Sequence, residues 1–150
     1  MPTNRLKRIQ LIVDLARQAE RQAGGQLKHT QENLHKEQQR LKEVQEYYHS
    51  YSALFEGRTR SLTASDLSRS REFLANLDRA SSAQQAQVLK AEQSVAAARQ
   101  QWQASYQKLQ AVLSYQERCE KQEQLRQDRF EQKLLDELSA QSSRSRILSV

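Results

Sequence analysis

From Leu6 to Phe55 this chain places residues of one kind at alternating steps of three and four, without a break. The positions are Leu6, Ile9, Val13, Ala16, Glu20, Ala23, Leu27, Thr30, Leu34, Glu37, Leu41, Val44, Tyr48, Tyr51 and Phe55; all but Glu20, Thr30 and Glu37 are apolar. A stripe this narrow is the seam of a supercoiled helix, since a helix in a globular core carries a wider apolar face. A second array starts at Leu67 and continues every seven residues through Leu74, Ser81, Val88, Val95, Trp102 and Leu109. Its companion positions are Leu77, Gln84, Ala91, Ala98, Ser105, Val112 and Cys119, so this seam is the more polar of the two. Beyond Cys119 it drifts to Phe130, Leu134 and Leu138, where the supercoil loosens or the helix goes on unpaired.

Nothing in the interior opposes long helices. The 150 residues include one Pro, at position 2, and three Gly, so the residues that lack a backbone donor or carry excess backbone freedom are nearly absent. The fold class expected is all-α, a long two-stranded antiparallel coiled-coil hairpin forming a single domain over residues 1–150. The expected bounds are a helix over about 4–55, a reversal over about 56–65, a helix over about 66–140 and a frayed tail over about 141–150. The first helix would be a rod of about 75 Å. Asn4 can accept from the open amides of its first turn.

Gly24 and Gly25 are its weak point; they let a neighbour approach closely or, the preferred reading, are a tolerated flexible spot. Gly57 suits a left-handed closing residue, and Thr63 or Ser65 starts the next helix, with Thr63-Ala-Ser-Asp66 spaced as a capping box. A link this short favours neighbouring antiparallel helices.

If Phe55 opposes Leu67, paired residue numbers add to about 122 throughout, by the geometry of an antiparallel pair. Leu6 then falls near Gln116, Glu20 near Trp102, and Glu37 opposite Gln84 and Gln85, forming a polar layer of the kind that fixes register. Near the reversal, Tyr47, Tyr48, Tyr51 and Phe55 face Leu67, Phe73, Leu74 and Leu77. Phe73, Leu77, Ala80 and Gln84 step by three and four and drift off the strict seam, so part of that row is expected to stay exposed as a docking face.

A two-helix rod has no converging loops to build an enzyme pocket, and no catalytic residue is assigned. His29, His35 and His49 share no metal-ligand spacing with each other or with Cys119, which leaves no basis for a metal site or a cofactor. Cys119 lies on the seam and reads as a small buried apolar residue. A single cysteine forms no intramolecular disulfide, which is compatible with a cytosolic home. Glu32, Glu37, Glu43 and Glu46 read as partners for nearby cations.

Net charge is +6 and the sequence pI about 9.7. Lys and Arg are nonetheless interleaved with Glu and Gln, without the aromatic-lined basic groove of a nucleic-acid binder, so no nucleic-acid partner is expected. Gln10 and Asp14 interrupt the apolar start, which argues against a signal peptide. No stretch is long and apolar enough to cross a bilayer.

The two long helices with a short reversal, the segment Phe73-Leu-Ala-Asn-Leu77-Asp-Arg-Ala80 and the later Ala98-Arg-Gln-Gln-Trp102 with Lys108-Leu109 resemble the flagellar export protein FliJ family. The resemblance spans almost the whole chain. It implies a non-enzymatic, cytoplasmic component of the flagellar type III export apparatus, similar to the coiled-coil stalk of the rotary ATPase gamma subunit and peripheral to the membrane only through its partners. It further implies that the end carrying both termini enters the pore of a hexameric, FliI-like export ATPase and promotes its assembly. The implied gate contact, to an FlhA-like protein, falls on Phe73, Leu77, Ala80 and Gln84; relatives can carry His at the last position. Export chaperones are further implied partners.

For the ATPase ring, the residues expected to make contact are Arg5, Lys7 and Arg8 at the amino end with Lys121, Arg126, Arg129 and Lys133 in the overhang. The opposing reading of those cations is a solvated helix end. Two other functions share these features, the stalk of a virulence type III secretion system and a structural or adaptor coiled coil without an ATPase. The same stripe can pair within one molecule or between two.

Overall fold

The computed structural model describes residues 4–58 and 61–148. It contains two α-helices, α1 over Asn4–Arg58 and α2 over Ala64–Leu148, packed on each other as an all-α helical hairpin. Every one of the fifteen α1 seam positions is buried or half-buried, and so is every one of the fourteen named on α2 from Leu67 to Cys119. The heptad therefore marks the real contact stripe, because only residues three and four apart stay on one side of a helix.

Contacts group the chain into two units. One joins the residues up to Glu20 with those from Ser105 onward, and the other is Arg21–Ala104. A single domain over 1–150 was the expectation; a two-helix pairing offers each segment only its facing segment, so packing does not converge on one centre.

In the first unit Ile9, Val13 and Cys119 form a buried cluster, with Leu6, Val112 and Leu113 packed against it. Val13 is fully enclosed. In the second unit the buried residues are Ala91, Val95 and Ala98, small side chains that let a facing helix approach closely.

The second unit contains the reversal. Helix α1 runs through Gly57 to Arg58, and no glycine among the described residues has a positive φ, which corrects the left-handed role expected for Gly57. The chain turns one residue later: the Ser61 amide and hydroxyl each donate to the Arg58 carbonyl at 3.0 Å. Thr63 then caps α2, its Oγ1 accepting from the Asp66 amide at 3.2 Å. The Asp66 carboxylate accepts from the Thr63 hydroxyl at 2.8 Å, a side-chain bond in place of the backbone bond that closes a capping box.

The carboxyl end also differs from expectation. Helix α2 continues to Leu148 where a frayed tail was expected from about residue 141; residues 149 and 150 lie outside the described residues. No Gly or Pro falls in that stretch, so no backbone donor is missing to stop the helix.

Candidate partner-binding surfaces

The register that positions side chains can be read within each unit. In the second, Tyr51 donates to Ser70 Oγ at 3.5 Å, and the Gln84 amide donates to the Glu37 carbonyl at 3.0 Å and to its carboxylate. Both pairs of numbers add to 121. The polar layer expected at Glu37 thus forms with Gln84, and Arg40 braces Glu37 from the same helix at 3.0 Å.

Long side chains reach further than the register alone gives. Trp102 lies over Gly24, one turn beyond the Glu20 position expected, and a Cβ at Gly24 would stand 3.5 Å from the indole Cδ1. In the first unit Gln116 donates to Gln10 Oε1 at 2.7 Å where Leu6 was expected, and Leu6 packs on the Cys119 cluster. The cause is common to both: helical side chains lean toward their own amino terminus, which in an antiparallel pair means toward higher α1 numbers. A Cβ at Gly24 would thus meet the indole at ordinary van der Waals distance and one at Gly25 would meet open space, so no close approach requires either glycine.

The row expected to dock a partner lies wholly in the second unit, and the structure divides it. Phe73 is 37% exposed, Ala80 is exposed, and Leu77 and Gln84 are half-buried. Phe73 and Ala80 sit one residue before the seam positions Leu74 and Ser81, which leaves them at its edge. Gln84 is turned inward onto Glu37. The ring of Phe73 rests on two α1 tyrosines, tilted against Tyr51 at 4.5 Å between centroids and edge-on to Tyr47 at 6.1 Å. Tyr47 itself is 54% exposed. Periodicity assigns it to the face that meets α2; its place one residue before the seam position Tyr48 is the signal that it lies at the edge.

The cations expected at the other site lie in the first unit. Arg5 Nη2 donates to the Tyr115 hydroxyl at 3.3 Å and to Cys119 Sγ at 3.7 Å. The Tyr115 hydrogen bond, supported by electrostatic interaction with Cys119 and Tyr115, raises the guanidinium above its ordinary pKa. Arg118 stands 5.9 Å over the ring of the same tyrosine, so Tyr115 is held by two guanidinium groups. Lys7 and Arg8 are exposed, and Lys121 pairs with Glu117 at 3.2 Å.

From Gln124 to Leu148 every residue of α2 is exposed. Phe130 at 68%, Leu134 at 48% and Leu138 at 54% continue the seam. Arg126, Arg129 and Lys133 frame a shallow open groove with Phe130, Gln122 and Leu125. This stretch is less basic than its cations suggest: Arg126, Arg129, Lys133, Arg144 and Arg146 stand against Asp128, Glu131, Asp136 and Glu137. It is braced along one side by Gln124 on Asp128 at 3.1 Å and Gln132 on Asp136 at 3.2 Å, the i,i+4 pairing that supports a helix without a packing partner.

His29, His35 and His49 are all exposed, and among the described residues no group of three or more His, Cys, Asp or Glu side chains converges on a metal position. No described helix is long and apolar enough to cross a membrane. A family model described as the flagellar FliJ protein matches residues 5–147. No curated protein and no solved structure matches the chain.

Proposed function

This chain belongs to the flagellar FliJ protein family, a family of flagellar export-apparatus components, and from that premise we propose that it is a non-enzymatic stalk of the type III export machinery. Its working end is the unpaired part of α2, which enters the ring of a hexameric, FliI-like export ATPase and promotes its assembly. Its side contact is the Phe73 edge, which meets an FlhA-like export gate. It acts on the cytoplasmic side of the membrane, held there by its partners.

The observation that carries this reading is the exposed seam of α2. Phe130, Leu134 and Leu138 continue the stripe that α1 covers as far as Cys119, yet they lie open. An unpaired seam flanked by Arg126, Arg129 and Lys133 offers a ring both apolar contact and long cationic side chains, whose stems add apolar area of their own. The mixed charge of this end favours polar ring loops of either sign over a strongly acidic pore, because nearby carboxylates offset most of the cationic field.

Mixing the chain with the purified export ATPase tests the proposal. Turnover and ring formation should both rise in its presence. If neither changes, the chain is an adaptor or structural coiled coil and not a stalk.

A further inference from the structure

The first unit leaves two apolar rows open to solvent, and the two have the same spacing. On the side of α1 turned away from Ile9 and Val13, Leu11 is 60% exposed, Ile12 50% and Leu15 57%. On the overhang, Phe130, Leu134 and Leu138 stand open. Leu11 and Leu15 are four residues apart, as Phe130 and Leu134 are. A further step of three on either side reaches Arg8 and Gln18 on α1, and Gln127 and Glu137 on α2. Each row is thus a short heptad with two apolar layers closed by polar ones, the pattern of a helix pair. Within one chain the rows do not cover each other, since all six apolar side chains remain exposed.

We infer that a second copy of this chain covers them. The overhang of each copy lies parallel to the other's α1, along its outer side, with Phe130 on the partner's Leu11 and Leu134 on the partner's Leu15. Ile12 and Leu138 flank these layers. Charge selects the direction. In the parallel pairing Lys7 reaches the partner's Glu131, five positions on, which is the flanking contact that parallel helices make. Among the described residues neither of the two forms an ion pair inside the hairpin. The reverse direction sets Asp14 beside Glu131, carboxylate against carboxylate.

Symmetry selects the same direction. Because α1 and α2 are antiparallel, an overhang parallel to the partner's α1 is antiparallel to the partner's α2, a relation that reads the same from either copy. Two equal contacts then close the pair, whereas the reverse direction builds an open head-to-tail chain. The six apolar side chains of both copies together offer on the order of 1,200 Å² of exposed surface, the lower bound of a specific interface. The dimer does not depend on the stalk reading. If the overhang is the ring-entering end, which rests on that reading, the dimer holds this end covered until the copies part.

Sedimentation equilibrium of the full chain should show reversible dimers with a dissociation constant on the order of 10 µM. Leu11→Ser with Leu15→Ser, and Phe130→Ser with Leu134→Ser, should each weaken the dimer about tenfold or more at unchanged helicity. Lys7→Glu should weaken it severalfold, and Lys7→Glu with Glu131→Lys should restore it. For the direction, Leu11→Cys chains are mixed with Phe130→Cys chains, both carrying Cys119→Ala. Mild oxidation should link them, and more readily than Leu15→Cys with Phe130→Cys.

A single-chain mass at every concentration overturns the inference. So does a dimer that survives the Leu11 and Leu15 changes but not those at Phe130 and Leu134, because overhang then pairs with overhang. Preferred linking of Leu15→Cys to Phe130→Cys overturns the parallel arrangement. The Leu11 and Leu15 variant should stimulate the export ATPase at severalfold lower chain concentration. If the chain dimerises but this shift is absent, the dimer stands and its control of ring entry falls.

Discussion

Gln84 donates its side-chain amide twice to Glu37, once to the backbone carbonyl at 3.0 Å and once to the carboxylate. The carbonyl of a mid-helix residue already accepts from within its own helix, so the Gln84 bond is a second one to the same oxygen. It ties α2 to the backbone of α1 at one register, and a slip by a turn would leave Gln84 facing Leu34 or Leu41.

Replacing this layer should exchange specificity for stability. The double variant Glu37→Leu with Gln84→Leu removes two half-buried polar side chains and adds apolar seam area, so it should be more stable by about 1–2 kcal/mol. Thermal melting followed by circular dichroism measures the gain. A lower melting temperature would mean that the polar layer stabilises the pair outright.

Gly24 and Gly25 give a paired test. Both lie inside a continuous helix, where Gly costs about 1 kcal/mol relative to Ala. A Cβ at position 25 meets open space, and at position 24 it meets the Trp102 indole at ordinary van der Waals distance, 3.5 Å. Gly25→Ala should therefore stabilise by about 1 kcal/mol and Gly24→Ala by a similar amount. Denaturant unfolding of the two variants checks this, and a loss at position 24 alone would place the Trp102 ring closer to the α1 backbone.

Thr63→Ala should cost about 1 kcal/mol, the usual worth of a hydroxyl cap. The Asp66 amide loses its acceptor at 3.2 Å, and the Asp66 carboxylate loses a donor. Amide exchange should rise in the first turn of α2 and stay unchanged near Val95, far from the cap.

Truncation after Glu123 should separate folding from function. Every residue beyond it in the described helix is exposed, so the melting temperature of the remaining pair should move by less than about 2 °C. Stimulation of the export ATPase should be lost. In the full chain, Arg126→Glu with Arg129→Glu should weaken stimulation severalfold without altering the melt; unchanged turnover removes these two arginines from the ring contact.

The fold was legible because heptad spacing is a local property with a global result. Fifteen residues from Leu6 to Phe55 share one side of α1 whatever the chain meets there, and apolar area on one side must find a partner. The Glu37 layer was legible for the same reason, since antiparallel register assigns facing positions by arithmetic. Thr63 as a cap followed from its side-chain chemistry.

Exposure at the seam's edge was not legible in the same way. Phe73 and Tyr47 each stand one residue off a seam position, and sequence alone assigned Tyr47 to the face that meets α2. The rings of Tyr47 and Phe73 meet edge-on, with 75° between their planes, a contact that periodicity does not give. Likewise the reach of Trp102 to Gly24 and of Gln116 to Gln10 depends on the lean of whole side chains. The sequence by itself determined the helices, their pairing and their polar layer, because those follow from periodicity. Only the tertiary structure decided which edge residues stay open to a partner, because exposure depends on what the facing helix leaves uncovered.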